Sequence, residues 1–306
     1  MVSVVTGGAG FIGSHIVDHL LHSGKKVVVL DNLSSGLMEN LDKKAGFVKM
    51  DLVKDGIEPH LKDCDAVFHI AADPEVRTSA QNPVSGFENN VIATFRLLEA
   101  CRKADVNNVV FSSTSAVQGD ATKIPTPEDF YCEPISNYGA SKLSCEAYLS
   151  SYAKCYGMKS TVLRFANIYG PRGRHGVLFD FYSKLKKNPK KLEILGDGGQ
   201  RKSYIHVTDC VLGIMAAKEA QKRAFEIYNI GSRSQMSVKE IATFVSGEMG
   251  LSPKFEFAGG ERGWVGDVRS MFLDPSKLEK TGWKPKISFE EGLKGYFAWL
   301  KTNVTP

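Results

Sequence analysis

The feature that most constrains this chain is its first turn. An apolar run, Val2–Val5, leads into Thr6-Gly7-Gly8-Ala9-Gly10-Phe11-Ile12-Gly13, and a helical apolar spacing follows over Ile16–Leu21. Strand, glycine turn and helix in that order form the first half of a parallel βαβ unit. Glycines at 7, 10 and 13 permit a tight turn and close backbone approach to a pyrophosphate, which the free N–H groups of the helix start then bind. Asp31 stands 18 residues past Gly13, at the end of the next apolar run. A carboxylate there accepts hydrogen bonds from adenosine ribose hydroxyls and repels a 2′-phosphate. No arginine lies among the next few residues, so the pattern favours NAD over NADP.

The rest of the first half keeps the same rhythm. Val27–Leu30, Phe47–Met50, Ala66–Ile70, Val109–Phe111 and Thr161–Leu163 read as short strands, with helical spacing between most of them, as in Val91–Ala104. Such alternation predicts an α/β fold, a doubly wound parallel sheet of the Rossmann kind with helices on both faces. Val27–Leu30 and Val109–Phe111 are continuously apolar, as strands buried on both faces require. After about Gly170 the rhythm breaks at Pro171, Gly173 and Gly176, and again at Gly196–Gly199. Ala224–Ile230 reads as a further strand, and Ser237–Met249 as a helix opened by a Ser237/Glu240 capping box. The expected division is a dinucleotide domain over 1–168, to which later segments return, and a smaller α/β substrate domain over 169–306.

Composition narrows the function classes. With 42% hydrophobic and 24% charged residues the 306-residue chain is globular and not disordered. No apolar run approaches the roughly 20 residues of a membrane span. The strand starting at Val2 leaves no room for a signal peptide, so a cytoplasmic protein is expected. The net charge of +5 is too diffuse for a nucleic-acid footprint. Residues 151–200 nevertheless hold ten basic residues against three acidic ones. That excess attracts a small anion or, for Lys186, Lys187, Lys190 and Lys191, forms a solvated helix face. None of the six cysteines forms a C-x-x-C pair, so neither a zinc ribbon nor a disulfide framework is expected. His15 and His19 lie four apart but lack the glutamate and third ligand of a metal site; with His69 and His206 they read as structural, and no metal is expected.

The chemistry points to Tyr138 and Lys142, one turn apart on one helix face. A nearby ammonium favours phenolate over phenol, and such a tyrosine can remove a hydroxyl proton as hydride leaves the same carbon. Tyr182 and Lys186 repeat the spacing but have no partner motif. Tyr138 has one: Val110–Thr114 is a strand running into hydroxyls at Ser112, Ser113 and Thr114. Ligands of open α/β sheets bind beyond the carboxyl ends of strands, so Thr114 is placed to hydrogen-bond a reacting alcohol.

The glycine turn, Asp31–Gly36, His69-Ile70-Ala71-Ala72, Ser112-Ser113-Thr114 and Tyr138-x-x-x-Lys142 together resemble the extended short-chain dehydrogenase/reductases, most closely the UDP-glucose 4-epimerases of the short microbial type. The resemblance covers nearly the whole chain. It implies tightly bound NAD, with Phe11 and Ile12 at the pyrophosphate and Asp31, Asn32, Leu33, Ser34, Ser35 and Gly36 around the adenosine ribose. Asp51 and Leu52 would sit at the adenine. Ile70, Ala71, Ala72 and Pro74 would line the path to the nicotinamide, and Asn89, Ser112, Lys142 and Ala166 would add contacts. Thr114, Tyr138, Asn167, Val177, Lys202, Arg262 and Asp267 would bind a UDP-sugar. Tyr138 would take the 4-hydroxyl proton, directly or through Thr114, while hydride passes to NAD; the 4-keto sugar would turn over and be reduced on its other face. Helices 87–104 and 138–157 would pair with a second copy in a homodimer, as in relatives.

Related 4,6-dehydratases carry Asp-Glu after the threonine, and UDP-glucuronate decarboxylases Ser-Glu. Ser115-Ala116 lacks that acid, which disfavours elimination and leaves 4-epimerases of plain, N-acetylated or uronic sugars. A non-catalytic NAD-binding regulator is opposed by the presence of both Tyr138 and Lys142. Three positions depart from the family: Gln118 for a tyrosine, Lys202 for an arginine, and a lengthened Arg262–Asp267 segment. An ammonium cannot grip phosphate bidentately, and Arg201 should face away from Lys202 if both lie on a strand. Met271 falls where side-chain bulk governs entry of N-acetyl sugars.

Overall fold

The computed structural model describes residues 2–304. β1 (Val2–Thr6) turns through the glycines into α1 (Phe11–His22), followed by β2 (Lys26–Asp31), β3 (Gly46–Lys49) and β4 (Cys64–His69). α2 (Pro83–Gly86) continues through a π-helical stretch, Phe87–Ile92, into α3 (Ala93–Lys103), so this helix begins earlier than its apolar spacing suggested. β5 (Asn108–Thr114), α4 (Asn137–Tyr156) and β6 (Lys159–Phe165) complete the regular part. Ser136 caps α4 by accepting from the Gly139 N–H, and Gly157, at φ 70°, ends it. β7 (Asn167–Tyr169), α5 (Val177–Lys187), β8 (Lys191–Ile194), β9 (Arg201–His206), α6 (Val207–Ala220) and β10 (Phe225–Ile230) come next. β11 (Gln235–Ser237), α7 (Val238–Glu248), β12 (Lys254–Phe257), β13 (Ser270–Met271), α8 (Ser276–Glu279) and α9 (Phe289–Asn303) close the chain. Both halves of the Ser237/Glu240 capping box form.

Seven strands make one parallel sheet in the order β10-β6-β5-β4-β1-β2-β3. The order reverses between β1 and β4, which opens a crevice at their carboxyl ends. β5 runs three residues beyond the apolar Val109–Phe111. Ser112, Ser113 and Thr114 stay in register with Leu163, Arg164 and Phe165, because the ladder uses backbone groups and tolerates hydroxyl side chains. β10 does not join the later strands; it pairs with β6 at the sheet edge. The remaining strands form two small sheets, β11-β9-β13 with β7 beside β9, and β12 with β8.

Both faces of the large sheet are covered, which explains its continuous apolar strands. On one side Leu97, Leu98 and Cys101 of α3 and Cys145, Leu149 and Tyr152 of α4 pack on Val4, Val67, Val109 and Phe111. On the other, Ile16, Val17 and Leu20 of α1 share a core with Cys210, Val211, Ile214 and Ala217 of α6 and with Trp283. A third core joins α5, α7 and α9 through Phe181, Tyr182, Leu185, Ile241, Val245, Tyr296 and Phe297. Tyr182 thus points into apolar packing while Lys186 is exposed, so that pair is structural.

Candidate active site

The first turn is sterically committed to glycine at two positions. Gly7 has φ +66°, and a Cβ there would lie 2.6 Å from the Ala71 nitrogen; a Cβ at Gly13 would run into the Gly7 carbonyl oxygen. The turn and the start of α1 are thereby brought against the end of β4 with their backbone bare. Asp31 reinforces it. Its buried carboxylate accepts from the Ala9 N–H (3.0 Å) and the Leu33 N–H (2.8 Å), tying the glycine turn to the segment after β2. Leu33 itself has φ 59°.

A cavity of about 630 Å³ opens from this turn along the carboxyl edge of the sheet. Gly7, Gly10, Phe11, Ile12, Gly13, Asp31, Asn32, Ser34, Ser35, Gly36, Asp51, Leu52, Ile70, Ala71, Ala72, Pro74, Asn89, Ser112, Tyr138 and Lys142 all line it. Its volume and its course from the glycine turn past Asp31 to Tyr138 and Lys142 suit a dinucleotide. The cradle that an added Cβ would fill at Gly7 and Gly13, and a carboxylate facing the far end, both fit NAD. Leu33 and Ala166 lie outside the lining; Ala166 is buried with Met271 and Leu273.

At the inner end, Lys142 is 2% exposed and its Nζ donates to the Ser112 carbonyl oxygen at 2.8 Å, 4.7 Å from the Phe111 ring centre. Burial pulls the ammonium down to about 8, opposed by Cys145 and Glu146. Tyr138 departs from the expectation of a lowered pKa. Burial of its hydroxyl pushes it up to about 12, and the nearby Thr114 hydroxyl only partly offsets this. In the protein alone the ammonium serves Ser112 and Phe111, and desolvation of the phenol dominates. Thr114 also caps the following 3-10 turn, accepting from the Ala116 N–H at 3.1 Å. His69 is buried between the hydroxyls of Thr6 (2.7 Å) and Thr94 (2.9 Å), and burial holds it down to about 3, so it is a neutral structural group.

Behind the tyrosine lies a buried ion pair that no spacing announced. Glu146, one turn past Lys142, binds Arg164 of β6 through two contacts at 2.7 and 3.0 Å, and Ser113 donates to the same carboxylate. Arg164 also donates to the Glu128 carbonyl oxygen and the Cys132 thiol. α4 is thus locked to β5, β6 and the 128–132 loop. Asn90 does the same on the other side: its side chain bonds the Asp73 backbone and the Ser141 hydroxyl. Glu146 meets Arg164 across α4 and β6, and Asn90 meets Ser141 across two helices, so only tertiary packing reveals them.

The residues implied to hold substrate form a second group. Lys202 on β9 pairs with buried Asp267, whose other oxygen accepts from the Gly263 N–H. Arg262 donates to the Asp267 carbonyl oxygen and to Asp120, both at 2.7 Å. Arg201 points the other way, to Glu240, as strand alternation requires. Asn167 stands opposite Tyr204 on the neighbouring strand, and Lys202 opposite Met271. Val177 begins α5, at the edge of the third core. Gln118 is buried and donates to the Pro127 carbonyl oxygen at 2.8 Å. None of these, nor Thr114, lines the 630 Å³ cavity. The cavity also includes Asp73, within the expected 70–74 path, Arg172 and Arg174 of the basic excess, and Glu75 and His175, which the sequence did not single out.

The sequence model of the NAD dependent epimerase/dehydratase family matches residues 3–231. The chain belongs to this family. Its fold coincides with a crystal structure of a UDP-galactose 4-epimerase, at TM-score 0.91, 43% identity and full coverage of both chains. The UDP-glucose 4-epimerase of Thermus thermophilus, solved in complex with NAD, matches at TM-score 0.91 and 37% identity over 99% of this chain and 100% of that one. A UDP-glucuronate 4-epimerase of Thermodesulfobacterium geofontis is 30% identical over 98% of this chain and 96% of its own. The resemblance noted in the sequence is therefore that of a family member, and NAD is its cofactor.

Proposed function

We propose that this protein is a UDP-glucose 4-epimerase, interconverting UDP-galactose and UDP-glucose through a transient 4-keto sugar. The observation that carries the reading is the Tyr138–Thr114 pair at the end of β5, beside buried Lys142, with Ser115 and Ala116 where an eliminating enzyme would need an acid. Bound NAD would accept hydride from sugar C4 and give it back. The side chains do the proton work. Tyr138 takes the O4 proton as the C4–H bond breaks, Thr114 bridging or orienting that hydroxyl, and returns it when the carbonyl is reduced on its other face. The net redox change is zero. Lys142 would stabilise the phenolate and hold the nicotinamide ribose. Residues 1–168 would grip the dinucleotide and 169–306 the nucleotide sugar, with Val177, Lys202, Arg262 and Asp267 on the UDP, joined by Asn167 from the end of the first part.

Relatives include 4-epimerases of plain, uronic and N-acetylated sugars, so the plain hexose is the narrower part of the proposal. Two further parts accompany it. Exposed Phe87, Phe95 and Tyr148 on the helices around 87–103 and on α4 support a homodimer through those helices. Among the described residues no helix is long and apolar enough to cross a membrane, and six free cysteines accord with a cytoplasmic site. The test is to incubate purified protein with UDP-galactose and no added NAD, and to look for UDP-glucose. Turnover of UDP-GlcNAc or UDP-glucuronate with none of UDP-galactose would overturn the hexose assignment. Tyr138→Phe should lower kcat by about 10²–10⁴ with NAD still bound; full activity in that variant would remove Tyr138 from the mechanism.

A further inference from the structure

Residues 170–176, Gly-Pro-Arg-Gly-Arg-His-Gly, join β7 to α5 and run along the outer lip of the cofactor groove. They are bound to both of its outer walls. On the α1 side, Arg172 Nη1 lies 2.7 Å from Asp18, the Pro171 carbonyl oxygen 3.0 Å from His15 Nε2, and the His175 ring meets Phe11 edge-on at 6.1 Å. A Cβ at Gly173 would sit 3.3 Å from the same Phe11 ring, so the backbone is pressed onto it. On the ribose side, Arg174 Nη2 lies 3.1 Å from Glu39, three residues beyond Gly36. From behind, α9 supports the segment: Tyr296 donates to the Gly173 carbonyl oxygen at 2.6 Å, and the Arg174 guanidinium lies over Trp299 while donating to the Asn303 carbonyl oxygen.

We propose that residues 170–176 form a strap that retains the dinucleotide, with Arg172–Asp18 and Arg174–Glu39 as its two latches. The strap brings Arg172 and Arg174 to the lining of the cavity that the glycine turn and Asp31 also line, so their positive charge would favour a bound diphosphate there. Its contacts span the two elements that hold the pyrophosphate and the adenosine ribose, so a leaving dinucleotide must part them. Both latches are partly solvent-exposed ion pairs, which open readily one at a time. Retention therefore comes from the requirement that both open together with the Phe11 contact. A cofactor that is restored in every cycle needs no exit route, and the strap fits that requirement.

The experiment follows NAD release and needs no sugar substrate, so it is separable from the epimerase assignment. Holoenzyme is diluted into excess alcohol dehydrogenase with ethanol, which converts each released NAD to fluorescent NADH. The Arg172→Ala/Arg174→Ala double variant should release NAD at least about tenfold faster than the unaltered protein, and Glu39→Gln severalfold faster. Glu39 is 67% exposed, so its variant will fold and decides the matter if the double variant does not. Release within twofold of the unaltered rate in folded variants, or an unaltered protein that purifies free of NAD, would overturn the strap.

Discussion

Tyr138 shows how far a spacing argument reaches at the level of single residues. The i, i+4 relation with Lys142 is visible in the sequence, but the direction of the pKa shift is not, because it depends on burial. With the phenol held at about 12 by burial, an active holoenzyme needs a fall toward working pH, which the Lys142 ammonium and a bound nicotinamide cation would supply. In an active holoenzyme kcat should therefore rise with pH as Tyr138 ionises. Lys142→Met, by removing one of those charges, should move that rise to higher pH and cut kcat at pH 7 by about 10²-fold or more. A pH–rate profile checks this; an unshifted rise would mean that Lys142 does not tune the tyrosine. Gly13 is legible for the opposite reason: its role is steric and local. Gly13→Ala forces Cβ into the Gly7 carbonyl oxygen, so the turn must open and NAD content of the purified protein should fall severely. Absorbance at 260 nm relative to 280 nm reads that content directly.

Among the elements, α4 carries both the tyrosine and the lysine, and its position is set by Glu146. The Glu146–Arg164 pair is nearly fully buried, so removing one partner leaves an uncompensated charge inside. Glu146→Gln should cost about 3–5 kcal/mol of stability in urea denaturation, far more than the loss of an exposed pair such as Lys103–Glu58. By contrast, Ser237→Ala should cost only about 1 kcal/mol, the value of one half of a helix cap. The contrast also explains what was readable. The α7 cap, the glycine turn and the apolar strands are local, and each announces itself within a few residues. Glu146 and Arg164 are 18 apart, Asn90 and Ser141 are 51 apart, and Arg262 and Asp120 are 142 apart. Nothing in the residue types says that they will meet. Tyr182-x-x-x-Lys186 makes the same point from the other side: it imitates the catalytic spacing without a partner motif, and its packing against Phe297 makes it structural.

For the molecule as a whole, the chain crosses between its two parts more often than its order suggests. Ala224–Ile230 has the composition of any buried strand, and its sequence does not say which sheet it joins. In the structure β10 extends the large sheet over six paired residues, and α6 packs beside α1 on the same sheet face, over β6 and β10. Val211, Ile214, Tyr228, Ile230 and Trp283 are all at most 7% exposed there. At about 1.5–3 kcal/mol for each large apolar side chain, those five alone contribute about 8–15 kcal/mol, as much as the whole stability of a typical domain. A fragment ending at residue 168 would keep the glycine turn, Asp31, Tyr138 and Lys142 but expose the partners of these side chains on β6 and α1. It should therefore retain far-UV signal, bind a hydrophobic dye, and lack a cooperative urea transition, and it should not hold NAD. A sharp transition in that fragment, with stability near that of the full chain, would show that the NAD half folds alone. The strap at 170–176 would then be the part of the second half that the cofactor needs, and the fragment would bind NAD weakly and release it fast.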